Sequence, residues 1–150
     1  MNGLKILING CFDLFHQGHA TLIETALHYS FEGIVRVLLN SDKSTRELKG
    51  PDRPVQDVET RGHEIEKFTQ AWCLKHREYP KIEIIIFNSE QELSTKIDEF
   101  KPNMIIKGDD RPDVRDIIGS GHWPILIIPR LKDKSGEFWS TTRRVKELEV

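Results

Sequence analysis

Leu4-Lys5-Ile6-Leu7-Ile8-Asn9-Gly10-Cys11-Phe12-Asp13-Leu14-Phe15-His16-Gln17-Gly18-His19 begins as an apolar run and ends on two histidines three positions apart. The first five residues read as a buried strand, Gly10 breaks it, and Ala20 to Leu27 restores a helical period. Both histidines therefore lie in a strand-to-helix crossover. An α/β sheet leaves a crevice beyond the carboxyl ends of its strands, and a helix N-terminus offers free N–H groups and partial positive charge to a phosphate. Gly18 lacks the side chain that would keep a ligand from the backbone. Two imidazoles here can donate to phosphoryl oxygens, with charge-assisted bonds if the rings are protonated. The plainer reading is a satisfied surface pair or a weak metal site. A helical zinc site would want histidines at i and i+4 with a third ligand, and neither condition is met, so no metal ligand is assigned.

Downstream, apolar runs alternate with helical periods. Gly33 to Leu39, Ile82 to Phe87, Met104 to Ile106 and Ile125 to Ile128 read as four further strands, rich in β-branched residues. Helices are expected over roughly 57–77, from Glu90 to Phe100, briefly near 113–118, and from Ser140 onward. This alternation predicts an open α/β domain, a doubly wound parallel five-stranded sheet with right-handed crossovers. With no repeat, low-complexity stretch or linker, residues 1–150 are read as one domain. Gly62 should weaken its helix by up to about 1 kcal/mol relative to alanine.

The balance of 22 Lys and Arg against 24 Asp and Glu, net −2, gives no electrostatic case for nucleic acid. A small anion needs only a local cluster of cations. No run is long enough to span a membrane and none reads as a signal peptide, so a cytoplasmic protein without membrane partners is expected. Cys11 and Cys73, the 2 cysteines, form no C-x-x-C pair and suggest neither a disulfide framework nor a thiolate metal site. His28, His63, His76 and His122 show no ligand spacing and are read as surface or packing residues. Trp72 and Phe68, four apart, are expected on one face of a core helix. Trp139, beside Ser140, is placed to close over a ligand.

Three segments past later strands add to the first. Asn40 to Val55 reads as a solvated loop, but it follows a strand expected beside the first and carries Lys43, Arg46, Lys49 and Arg53. It could order over a bound phosphate and exclude water. Lys107-Gly108-Asp109-Asp110 leaves the fourth strand as an ordinary turn, although at the same sheet edge. Ser140-Thr141-Thr142-Arg143-Arg144 reads first as a helix N-cap, and a capped N-terminus with spare hydroxyls is also a phosphate site.

Gly10, Phe12, Asp13, His16, Gly18 and His19 match every fixed position of Gly-x-Phe-Asp-x-x-His-x-Gly-His, so the chain resembles the small HxGH nucleotidyltransferase superfamily. The resemblance covers almost the whole length and implies a Rossmann-like fold. Ser41-Asp42-x-Ser44-Thr45-x-x-Leu48-Lys49-Gly50-x-x-Arg53-Pro54-Val55 looks like the loop of the adenylyltransferase domain that makes ADP-activated heptose, more than that of glycerol-3-phosphate cytidylyltransferases. By resemblance, His16, His19 and Lys49 are catalytic. Gly10, Cys11, Phe12, Gly18, Arg61, Lys107, Gly108, Asp110, Arg130, Ser140, Thr141 and Thr142 would hold the nucleotide, and Asp13, Asp42 and Arg53 the acceptor. The implied reaction transfers a nucleoside monophosphate from ATP or CTP to a small phosphorylated acceptor, a sugar phosphate ahead of glycerol 3-phosphate, with Mg2+ carried on the nucleotide. The alternatives are a glycerol-3-phosphate cytidylyltransferase and a non-catalytic nucleotide-binding module of the same fold. Related enzymes are often homodimers, which is carried over as an expectation. Two segments depart from the family pattern, residues 62–81 and an insert from Leu131 to Trp139.

Overall fold

A computed structural model describes residues 3–109 and 114–148. Five strands, β1 Lys5–Gly10, β2 Ile34–Asn40, β3 Lys81–Phe87, β4 Met104–Gly108 and β5 Ile125–Ile128, form one sheet in the order β3-β2-β1-β4-β5. Every pairing is parallel. The expected doubly wound sheet is therefore present, with its order reversing between β1 and β4. Alternate residues of each strand serve opposite faces. Ile6 and Ile8, with Val35, Val37 and Leu39, pack under α1 Gln17–Tyr29 and α3 Val58–His76. Leu7, Leu38 and Ile105 meet Leu93, Ile97 and Phe100 of α4 Glu90–Phe100 on the other face. Trp72 and Phe68 join the first of these cores, as their spacing predicts.

The strand starts are drawn together by two glycines. A Cβ on Gly33 would lie 2.2 Å from the Leu4 carbonyl oxygen, and one on Gly3 2.2 Å from the Gly33 nitrogen. At the carboxyl ends the opposite happens. β1 pairs with β2 over its full length but with β4 only through Ile6 and Leu7, so the two central strands part beyond that point. A crevice opens at the switch point, where such sheets bind ligands.

Residues 42–49 depart from the expected loop. They form α2 Asp42–Lys49, N-capped by Ser41, whose hydroxyl accepts from the Ser44 N–H at 3.1 Å, and closed by Gly50 at φ 111°. The cap and the Glu47–Lys43 pair one turn apart outweigh a composition that suits turns equally well. Near 113–118 the described residues form a short 3-10 turn, Val114–Asp116. The last helix, α5, spans Thr141–Leu148.

Candidate active site

His16 and His19 build the start of α1 before they do anything else. His16 is the N-cap, and its Nδ1 accepts the Gly18 N–H at 3.0 Å; His19, at the third helical position, returns Nδ1 to the His16 N–H at 3.2 Å. This is a capping box written in imidazoles. A nitrogen that accepts a hydrogen bond carries no proton, so each neutral ring must hold its proton on Nε2. Gly18 is required by the fold of this turn, because a Cβ there would lie 2.8 Å from His16 Cε1. The rings stack on each other with centroids 3.7 Å apart. Burial, then Arg144 and Arg143, lowers the pKa of His16 to about 4. Burial, then His16 and Lys49, lowers that of His19 to about 3. Both rings are neutral near pH 7, so the condition for charge assistance from the rings themselves is not met. Their bonds to a phosphoryl oxygen would draw charge assistance from the anion alone.

The loop before them is pinned from two sides. Phe12 and Leu14 sit at φ 51° and 50°, a region costing about 1–3 kcal/mol for such residues unless the surroundings enforce it. The enforcing group is Asp13. Its carboxylate accepts the Val55 and Gln56 N–H groups at 2.8 and 3.0 Å, and its carbonyl accepts the Thr141 hydroxyl at 2.9 Å. One buried residue thus ties the motif loop, the segment after α2 and the start of α5 together.

Around this junction lies a cleft of about 400 Å³. Gly10, Cys11, Phe12, Asp13, His16, Gly18 and His19 form one wall. Lys49 and Arg53 approach from the α2 side, Lys107 and Gly108 from β4, and Arg130, Ser140, Thr141 and Thr142 from beyond β5. Lys107 Nζ reaches across the parted strands to the Asn9 carbonyl at 3.4 Å. Ser140 caps α5 by accepting the Arg143 N–H at 3.1 Å. An anion entering the cleft meets cations, neutral Nε2–H donors and hydroxyls. This is the composition that holds a polyphosphate by positioning and charge stabilisation.

The cytidylyltransferase-like family model matches residues 7–147, which includes β1 from Leu7 onward, the other four strands and every residue that lines the cleft. The chain belongs to the cytidylyltransferase-like family. The chain is 29% identical over 153 residues to the bifunctional protein HldE of Gluconobacter oxydans, covering 99% of this chain and 28% of that protein. The HldE of Geobacter metallireducens is 38% identical over 110 residues, 72% of this chain and 20% of that protein. The chain thus spans about a quarter of the length of these curated relatives. Among solved structures, the lipopolysaccharide core biosynthesis protein of Thermoplasma volcanium superposes with a TM-score of 0.56 at 20% identity, covering 89% of this chain and all (100%) of that one. That likeness speaks to the fold alone.

Within this cytidylyltransferase-like site, several residues do other work than expected. Arg61, expected on the phosphates, is fully buried at 0% exposure and lies outside the cleft lining. Its guanidinium donates to the Cys11, Asn40 and Gln56 carbonyls at 2.7, 2.8 and 3.0 Å and pairs with Asp42 at 2.7 Å. Asp42, expected on the acceptor, is taken up by that pair and is also absent from the lining. Asp13, expected on the acceptor too, lines the cleft but is 2% exposed, with its carboxylate committed to backbone and to Arg53 Nε at 3.5 Å. A guanidinium can be buried here because three carbonyls and the Asp42 carboxylate take up donors and charge that would be costly to leave unpaired. Asp110 lies outside the described residues. Helix α2 also sorts the cations of its segment: Lys49 faces the cleft beside Thr45 and Leu48, while Lys43 and Arg46 do not line it. Sequence reading missed Asn9, Thr21, Leu22, Asn40, Thr45, Leu48, Ile128, Pro129 and Leu131 as lining residues. Asn9 and Asn40 were findable, since each is a polar residue ending an apolar strand at the crevice edge.

The insert from Leu131 to Trp139 is a small hairpin. Lys132 bridges Phe138, the Trp139 N–H donates to the Leu131 carbonyl at 3.0 Å, and Gly136 turns the chain at φ 89°. Asp133 organises it, accepting from the Ser135 hydroxyl at 2.6 Å and from the Ser135 and Glu137 N–H groups. These bonds, the Ser135 hydroxyl first, and Arg143 hold its pKa at about 2. Arg130 lies on the Phe138 ring, 4.3 Å from its centroid.

Proposed function

We propose that the chain is a nucleotidyltransferase that moves a nucleoside monophosphate from ATP or CTP onto a small phosphorylated acceptor, a sugar phosphate of the heptose 1-phosphate type foremost, with release of pyrophosphate. An acceptor phosphate oxygen attacks the α-phosphorus in line and the α–β bridging oxygen leaves with pyrophosphate, so no covalent enzyme intermediate forms. The acceptor is already ionised near neutral pH and needs no strong general base. His16 and His19 donate from Nε2 to the α-phosphoryl oxygens, Lys49 and Arg53 hold phosphate charge on the α2 side, and Ser140, Thr141 and Thr142 take the outer phosphates at the start of α5. Lys107, Gly108 and Arg130 border the nucleoside end. Carried by the observation that His16, His19, Lys49, Ser140, Thr141 and Thr142 line one cleft, this reading asks for no activated nucleophile.

Mg2+ enters this reading as part of the nucleotide substrate. The cleft carboxylate of Asp13 is buried, accepts a backbone N–H on each oxygen and pairs with Arg53, so it does not fit a resident ion. With the nucleotide, Mg2+ supplies charge neutralisation of the phosphates. A homodimer and a cytoplasmic setting complete the proposal, the first to be read by sedimentation. The deciding experiment measures pyrophosphate release for ATP, CTP, GTP and UTP against sugar 1-phosphates, glycerol 3-phosphate, phosphocholine and phosphopantetheine. Release with ATP or CTP and a sugar 1-phosphate is expected. Silence across the grid, with nucleotide still bound in a direct titration, would leave the non-catalytic module standing.

A further inference from the structure

We propose that Trp139 is a positioning residue: carried on the 131–139 hairpin and latched by the Asp133–Arg143 ion pair, its indole walls His16 from solvent and sets the direction in which that imidazole meets the transferred phosphoryl group. The last clause rests on the nucleotidyl-transfer reading above; the wall itself does not. Trp139 lies near-parallel to His16, at 16° with centroids 6.5 Å apart, and His19 stacks on His16 at 3.7 Å. Its Cβ sits 3.8 Å from where a Gly18 Cβ would be, so the base of the Trp139 side chain lies beside the turn that joins the two histidines. Arg143 lies 4.2 Å from the indole centroid and pairs with Asp133 at 2.6 Å and Glu147 at 3.0 Å. One face of the hairpin is thereby fastened to the first turns of α5, which Thr141 fastens to the Asp13 carbonyl. Arg143 thus joins the hairpin to α5 and, through its contact with the indole, favours the position in which Trp139 lies beside His16. Neither the motif nor its fixed residues require this wall. It comes from the insert by which this chain departs from the family element.

An imidazole that has given its Nδ1 lone pair to the Gly18 N–H retains one donor, Nε2–H, and a second proton can enter only at Nδ1 with loss of that bond, a charged form that solvent beside the ring would favour. The groups that face His16 are His19 of α1 and Arg143 and Arg144 of α5, with Lys49 of α2 facing His19. All of these disfavour added positive charge, and the indole supplies the low-dielectric side.

Nitrogen-detected NMR of the histidine rings in ligand-free protein tests this without any substrate. In the wild-type chain His16 is expected as the Nε2–H tautomer with a pKa of about 4. Trp139→Ala should raise that value above about 5 and lower kcat on the order of 10-fold, while Trp139→Phe, which keeps a planar apolar ring, leaves both near wild type. An unchanged His16 pKa in a natively folded Trp139→Ala variant overturns the proposal, as does an equal effect of Ala and Phe. Should the alanine variant lose its hairpin, Trp139→Leu takes its place, with an intermediate pKa expected and a wild-type pKa overturning it. A shifted pKa in a chain that never releases pyrophosphate would sink the nucleotidyl-transfer reading and leave the wall; an active enzyme with an indifferent His16 would do the reverse.

Discussion

His16 serves two structures: Nδ1 closes the first turn of α1, which leaves Nε2 as the remaining donor of a residue that lines the cleft. Substitutions can separate these duties. His16→Asn keeps a side-chain acceptor for the Gly18 N–H, so the thermal midpoint should hold while kcat falls on the order of 100- to 1000-fold, the usual loss for one donor to a charged transition state. His16→Ala should add a stability loss of about 1 kcal/mol as the cap disappears. Steady-state kinetics beside thermal denaturation would read both, and near-normal turnover in the asparagine variant would remove His16 from the reaction. A second consequence concerns acid. The folded rings hold pKa values of about 4 and about 3 against 6.5 when unfolded, so below pH 6.5 the unfolded chain takes up protons that the native state refuses. Their stability contribution is whole above pH 6.5 and is lost as pH falls from there through the folded values. Between pH 6.5 and about 5, where most carboxylates stay ionised, the midpoint should fall more steeply for wild type than for His16→Asn. Parallel slopes would contradict the neutral assignment.

At the scale of elements, continuous apolar runs located all five strands and the 3.6-residue repeat the long helices, because both signals are written locally. Helix α2 escaped because its eight residues include few apolar ones: Ser, Thr, Asp, Lys and Glu serve a capped surface helix and a loop alike. The 131–139 hairpin escaped for a related reason, since its closing contacts, Asp133 to Ser135 and to Arg143, are polar and leave no periodic trace. Gly62 is different, being legible and testable. It sits inside α3, and a Cβ there would meet only Leu39 Cδ2, at an ordinary 3.8 Å. Gly62→Ala should therefore stabilise the protein by up to about 1 kcal/mol in a denaturant titration, through lower unfolded-state entropy and better helix propensity. A destabilised variant would mean that the glycine answers a need of motion or binding.

Across the whole molecule, Arg61 is the residue on which cleft and fold meet. It binds the carbonyl of Cys11 just past β1, that of Asn40 at the end of β2, that of Gln56, and the Asp42 carboxylate of α2. Arg61→Met should cost about 3–5 kcal/mol of folding stability, since the Asp42 partner and three carbonyls are left unmatched. If Arg61 instead served phosphate directly, the same change would raise KM for the nucleotide while leaving the denaturation midpoint in place. The strands, the switch-point crevice and the histidine crossover were all determined by the sequence alone, because each rests on local periodicity or on the general rule for where parallel sheets open. Only the tertiary structure decided which charged residues line the cleft. Arg61 and Lys49 look equivalent as cations in a sequence, yet one lies under the strand ends where carbonyls lack partners and the other ends a helix that points it into the cleft. The protonation of the histidines was decided the same way, because burial and neighbouring cations arise only once distant segments pack together.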